Sequence, residues 1–82
     1  MTQGQIIGRL RKAAHVTQQE LANAVGLKSK GNFSEWEKGA VSMPDRWYYL
    51  CWEAIPRLLG KYRDEYEQEK AELVASGEVP GP

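Results

Sequence analysis

The chain has 82 residues, enough for one domain, and its eleven basic and eleven acidic side chains give a formal net charge of zero. A single cysteine excludes an intramolecular disulfide, and no cluster of cysteine and histidine has the spacing of a metal site. The apolar runs are too short to span a membrane and the N-terminus lacks the pattern of a signal peptide, so the composition favours a cytoplasmic protein.

The two halves of the chain carry opposite net charges. Residues 1–43 contain six basic and three acidic side chains, a net charge of +3, whereas residues 44–82 contain five basic and eight acidic ones, a net charge of −3. This asymmetry is typical of a basic working half joined to an acidic, solvated half.

The spacing of apolar residues is helical throughout and predicts an all-α protein of five helices. The first helix is predicted from Thr2 to Ala14. The second begins at the clearest local signal, a capping box in which Thr17 and Glu20 can each bond the other's backbone amide. Gly26 is predicted to end it, because glycine adopts the left-handed conformation of a helix C-terminus most readily.

A third helix is predicted to begin after Ser29, its expected N-cap, and to run to Lys38, with Gly39 ending it. Phe33 and Trp36 are three residues apart, so they share one face of this helix and are expected to point into the core. The polar side of this helix is therefore expected to face outward, with Lys30, Asn32, Ser34 and Glu35.

The fourth helix is predicted from Asp45 to Ala54, introduced by Pro44. Two of its faces are aromatic, which is more than one small core normally absorbs. Either both faces pack within the chain, or one of them forms a dimer or partner surface, since aromatic residues are enriched at interfaces. The aromatic residues concerned are Trp47, Tyr48, Tyr49 and Trp52.

Pro56 interrupts the helical pattern, and a longer fifth helix is predicted from Arg57 to Ala75. Residues 56–75 are expected to brace the fold or to form a dimer. Residues 76–82 contain two glycines and two prolines and are expected to be disordered. The predicted dimer interface consists of Trp52, Leu59, Tyr62, Tyr66 and Leu73.

Two short helices joined by a glycine-containing turn match the helix-turn-helix unit. Residues 16–22 (VTQQELA), 25–27 (VGL) and 33–39 (FSEWEKG), with Leu10-Arg11 before them, resemble the Cro and lambda-repressor-like helix-turn-helix family over residues 5–55. The resemblance implies a five-helix lambda-repressor-like domain with a longer C-terminal helix, in which residues 1–55 form the DNA-binding core. One departure is that the stretch from Gly26 to Trp36 is one residue longer than is usual in the family.

In this family the third helix lies in the major groove and the second crosses the DNA backbone. The expected base-contacting residues are Lys30, Asn32, Ser34 and Glu35, since lysine suits guanine, asparagine suits adenine and glutamate suits the cytosine amino group. An ordinary solvated face is the alternative interpretation of the same residues. The expected contacts to the DNA backbone are Gln18, Gln19, Lys28, Ser29 and Lys38.

The resemblance also implies a structural ion pair between Arg11 and Glu37. Together these features predict a sequence-specific transcriptional regulator of double-stranded DNA, of the phage or plasmid repressor type, which binds a palindromic operator as a homodimer. The alternative is a protein-interaction module, such as an antitoxin or an adaptor, that uses the aromatic fourth helix.

An enzyme is not predicted. His15 is the only histidine and lies at a predicted helix end, where an imidazole is more typical of capping than of catalysis. Cys51 is expected in the core among aromatic residues. We expect no cofactor and no metal, and no small-molecule ligand is evident.

Overall fold

The computed structural model describes residues 1–79, and within them the chain is all-helical, as predicted. It contains five α-helices, with two 3₁₀ turns between the last two of them. None of these helices is long and apolar enough to cross a membrane. The elements are α1 (Gln3–Ala13), α2 (Gln18–Val25), α3 (Gly31–Lys38), α4 (Asp45–Ala54), the 3₁₀ turns Ile55–Arg57 and Gly60–Tyr62, and α5 (Arg63–Ala75).

Both capping signals of α2 are present. The Thr17 hydroxyl accepts the Glu20 amide hydrogen at 3.0 Å, and the Glu20 carboxylate accepts the Thr17 amide hydrogen at 3.0 Å. The pKa of the Glu20 carboxyl is lowered, chiefly by the hydrogen bond from the Thr17 backbone amide and further by the Thr17 side chain. Gly26 and Gly39 end α2 and α3 in the left-handed conformation, with φ of 90° and 79°.

The predicted N-cap of α3 is wrong by one residue. Lys30 occupies the N-cap position without a side-chain hydrogen bond to the helix. The Ser29 hydroxyl accepts the Gly31 amide hydrogen at 3.1 Å, so it still satisfies one of the free donors of the first turn.

One core joins all five helices, and α1 lies at its centre. Apolar side chains of α1 pack against α3, α4 and α5, while α2 packs mainly on α4. The largest fully buried side chains are Tyr66, Phe33, Ile7, Leu10, Leu21, Ile55, Leu59, Leu73 and Cys51.

Two glycines allow α1 and α3 to approach each other closely. A Cβ atom at Gly4 would lie 2.1 Å from the Trp36 carbonyl oxygen, so no larger residue fits there without movement of a helix. One turn later, a Cβ at Gly8 would lie 3.0 Å from the side chain of Glu37. The backbone of α1 therefore rests directly on the C-terminal half of α3.

The fifth helix begins later than predicted, at Arg63 rather than Arg57. Pro56 lies within the first 3₁₀ turn, and Gly60 has a positive φ of 53°, which an α-helix cannot contain. The spacing of apolar residues alone indicates one continuous helix across this segment, but the backbone conformation of Gly60 interrupts it.

Helix α5 runs antiparallel to α1. The His15 imidazole lies 2.7 Å from the Glu65 carboxylate at the end of α1, and the Arg9 guanidinium pairs with Glu69 and Glu72 farther along α5. The start of α5 therefore lies beside the end of α1.

Residues 76–79, part of the predicted tail, pack against the rest of the chain. Val79 is only 4% exposed in the core, and the Glu78 amide donates to the Leu73 carbonyl at 3.0 Å. The Glu78 carboxylate also lies 3.5 Å from the Met1 ammonium. The rest of the predicted tail, residues 80–82, lies outside the described residues.

Candidate nucleic-acid interface

Helix α3 is divided into a buried side and a polar side. Phe33 is fully buried and Trp36 is 5% exposed, and their rings contact each other edge to face with centroids 5.4 Å apart. Lys30, Asn32 and Glu35 are exposed. The buried pair therefore fixes the rotation of α3, and these three predicted base-contacting residues face solvent.

Ser34, the fourth predicted base contact, differs from the other three. It is half-buried, and its hydroxyl donates to the Gln18 side-chain oxygen at 3.3 Å. The Gln18 amide group in turn donates to the Glu37 carboxylate at 3.1 Å. Gln18, predicted as a phosphate contact, thus connects the first turn of α2 to the middle and the C-terminal end of α3.

Arg11 and Glu37 form the ion pair that the resemblance implied. The guanidinium donates two hydrogen bonds to the two carboxylate oxygens, both at 2.8 Å, and the side chains are only 11% and 9% exposed. A third hydrogen bond from Arg11 reaches the Val16 carbonyl at 2.8 Å. This arrangement ties α1, the segment that leads into α2, and α3 together at one point.

The other predicted backbone contacts surround α3. Lys28 and Ser29 lie in the connection between α2 and α3, where the extra residue was expected, and Lys38 is the last residue of α3; all three are exposed. Gln19 is exposed on α2, where its amide group donates to the Asn23 side-chain oxygen at 2.9 Å. The exposed side chains of α3 are thus flanked by lysines at both ends.

The predicted dimer interface needs correction, because three of its members are already covered by their own chain. Leu59, Tyr66 and Leu73 are at most 2% exposed and pack in the core, so they offer no surface to a second copy in this conformation. Trp52 and Tyr62 are half-buried. Of the two roles expected for residues 56–75, bracing the fold is the one that these contacts provide.

The aromatic face of α4 is partly open. Trp47 packs against Trp36 with ring centroids 6.4 Å apart, and Tyr48 is buried. Tyr49 is 62% exposed, and it borders a groove with Tyr48 and Trp52 on one side and Met1 and Gln3 on the other. One aromatic face therefore belongs to the core, and part of the other faces solvent.

His15 lies in the turn after α1, and Cys51 is buried in the core. His15 has a positive φ of 58° just after α1, where its amide donates to the Lys12 carbonyl at 3.1 Å. Burial raises the pKa of the Cys51 thiol to about 12, and the nearby Glu37 carboxylate adds to the rise. Residues 1–79 contain no group of three or more histidine, cysteine, aspartate or glutamate side chains placed to bind a metal ion.

Two elements of this interface were missed in the sequence. Gly4 and Gly8 bring α1 against α3, and their spacing of four residues on one helix face was a signal that could have been used. The partners of Gln18 could not be found in this way, because a glutamine at the start of a helix has no preferred neighbour.

No family model, curated protein or solved structure matches this chain. The described residues therefore define only a fold class: a small all-α domain in which helix α3 is anchored in the core on one side and exposes polar side chains on the other.

Proposed function

We propose that this chain is a sequence-specific DNA-binding transcriptional regulator that places α3 in the major groove. In this proposal it acts as a phage- or plasmid-type repressor and blocks polymerase by occupying a palindromic operator as a homodimer. Regulation then follows from its concentration.

The observation that carries the proposal is the orientation of α3. Phe33 and Trp36 anchor one side in the core, and the ion pair of Arg11 with Glu37 holds the C-terminal end. A helix that reads DNA must present the same side chains in the same place each time, because base contacts need hydrogen-bonding geometry.

The chemistry of the exposed side chains fits base edges. Lys30 can donate to guanine O6 and N7, Asn32 can pair with adenine N6 and N7, and Glu35 can accept from cytosine N4. Lys28 and Lys38 lie on either side and suit phosphates. Ser34 supports the interface in this proposal by holding Gln18 rather than by reading a base.

A homodimer is proposed because one module makes few base contacts. Two-fold symmetric pairs of helix-turn-helix modules read half-sites about one DNA turn, or roughly 10 base pairs, apart. The dimer surface then lies outside the buried residues Leu59, Tyr66 and Leu73.

Selection of bound sequences from a random duplex library tests the proposal. We expect a palindromic consensus and an affinity that falls steeply with salt. Asn32→Ala should relax one position of each half-site, and Lys38→Gln should weaken all sequences alike. Gln68→Ala, which changes an exposed amide on α5, is the matched control and should alter neither. A wild-type protein that enriches no sequence and binds no duplex contradicts the proposal.

A protein-interaction module is the second candidate, and the exposed ring of Tyr49 beside a groove supports it. Aromatic side chains contribute strongly to protein interfaces. Asn32→Ala and Tyr49→Ser separate the two candidates. A repressor loses operator selectivity with Asn32→Ala and keeps it with Tyr49→Ser. An interaction module enriches no sequence from the DNA library. Its partner protein is then captured by crosslinking to the wild type and to Asn32→Ala, but not to Tyr49→Ser.

A further inference from the structure

The first turn of α5 lies at the same end of the molecule as the proposed DNA-binding helices. Helix α5 runs antiparallel to α1, and Glu65 in its first turn contacts His15 at 2.7 Å. His15 is two residues before Thr17, the N-cap of α2. The segment just before α5 is thus placed beside the start of α2, the element proposed to cross the DNA backbone.

An aromatic stack holds this segment in place. The Tyr62 ring lies on the His15 ring with centroids 3.8 Å apart and an angle of 20° between the planes. The Lys61 ammonium lies 5.4 Å from the centroid of the same Tyr62 ring. The position of Lys61 is therefore coupled through Tyr62 to the segment that leads into α2.

The charge of Lys61 is available to a ligand. Its side chain is exposed, and it forms no ion pair with a carboxylate of residues 1–79. Glu65, four residues along the chain from Lys61, is paired with His15. A free ammonium on a fixed aromatic support is suited to a phosphate oxygen.

We propose that Lys61 is an additional phosphate contact, which extends the DNA interface from the helix-turn-helix onto the segment before α5. The inference rests on the proposed function. It assigns to DNA binding a residue from residues 44–82, the half of the chain that carries the negative net charge. Lys61 carries no base information, because an ammonium on a phosphate does not distinguish sequences.

Salt dependence of DNA affinity tests this assignment. Binding of the wild type and of Lys61→Gln is measured by fluorescence anisotropy at several salt concentrations, on a duplex selected from the library and on a mixed-sequence duplex. The proposed homodimer carries two copies of Lys61, so the substitution removes two phosphate contacts and should reduce the slope of log affinity against log salt by about 1.8 on both duplexes. The affinity ratio should then be roughly 60-fold at about 0.1 M salt and about fivefold at about 0.4 M.

Lys70→Gln is the matched control. It also removes one positive charge, but Lys70 lies within α5 rather than before it, and its ammonium is 5.5 Å from the centroid of the Trp52 ring. We expect its salt slope to equal that of the wild type. Tyr62→Leu removes the aromatic support and keeps the charge, so it should weaken binding less than Lys61→Gln and leave the helical circular dichroism unchanged.

The outcomes separate the two proposals. A wild-type protein that binds neither duplex overturns the proposed function and this inference with it. A wild type that binds with steep salt dependence, together with a Lys61→Gln slope equal to the wild-type slope or a Lys70→Gln slope reduced equally, overturns the inference alone.

Discussion

Helix α1 contacts α3 and α5 through different kinds of interaction. Toward α3 it presents glycine and a nearly buried arginine, so the two backbones touch and Arg11 forms a bidentate pair with Glu37. Toward α5 it presents a half-exposed arginine, and Arg9 pairs with Glu69 near the surface. One contact is short-range and shielded from water, and the other is solvated.

The two contacts differ in how precisely they position the neighbouring helix relative to α1. A close backbone contact and a shielded ion pair have few alternative geometries, whereas exposed ion pairs between long side chains have many and contribute little free energy. The helix proposed to read DNA is therefore held by the precise contact. Helix α5 is held by apolar anchors such as Tyr66 and Leu73, and its ion pairs are secondary.

Gly4→Ala should have the largest effect on the free energy of unfolding. Its Cβ would lie 2.1 Å from the Trp36 carbonyl oxygen, a backbone atom that cannot move alone, so α1 and α3 must separate. We expect a loss of about 4 kcal/mol, at the upper end of overpacking effects, measured by urea unfolding. Gly31→Ala is the control, because its Cβ would meet only the Ser29 hydroxyl at 3.4 Å. Equal destabilisation by the two variants would show that the close contact is unimportant.

Breaking the pair of Arg11 and Glu37 should be the next largest effect. Glu37→Gln leaves the Arg11 charge nearly buried without a carboxylate, and we expect a loss of about 3 kcal/mol in urea unfolding. The double variant Arg11→Met/Glu37→Met removes both charges and should recover part of that loss. Additive effects of Arg11→Met and Glu37→Met would contradict a direct interaction.

The extent of helix α3 and the side that it buries could largely be predicted, because both depend on residues within or next to the helix. Phe33 and Trp36 follow helical spacing, and Gly39 follows the rule for helix ends. The α1–α3 contact itself could not be derived from those rules, since a glycine inside a helix appears only as a weak helix former until its neighbour is known. The exposure of Ser34 was also predicted incorrectly, because its partner Gln18 is 16 residues away.

The C-terminal side was predicted less well, since tertiary packing decides it. The apolar stripe correctly placed Tyr66 and Leu73 on one side of α5, but it did not show whether that side meets the same chain or a second copy. The late start of α5 depends on the conformation of Gly60. The final segment packs on the chain through the buried side chain of Val79, which the glycine and proline content of residues 76–82 does not indicate.

Alkaline pH should lower the free energy of unfolding through the buried thiol of Cys51. We expect this effect to lie between those of Glu37→Gln and Arg9→Gln. The Cys51 thiol has a pKa of about 12 in the folded chain against an ordinary value of 9.0, so the unfolded chain releases this proton first. Its contribution to stability is therefore complete below pH 9 and is lost as the pH rises toward 12. Urea unfolding between these values should show a smaller decline for Cys51→Ala than for the wild type. Identical declines would mean that the thiol is already exposed.

The smallest effect is expected from Arg9 on the opposite side of α1. Arg9→Gln removes the exposed pairs with Glu69 and Glu72, and the free energy of unfolding should fall by less than about 1 kcal/mol. This difference should disappear near 1 M salt, where the screening length is only about 3 Å, whereas the effect of Glu37→Gln should persist because its ion pair is shielded from water. Urea unfolding of both variants at low and high salt checks this. An Arg9→Gln effect that equals that of Glu37→Gln, or that survives high salt, would mean that α5 is held by its ion pairs as firmly as α3 is held by its buried contact.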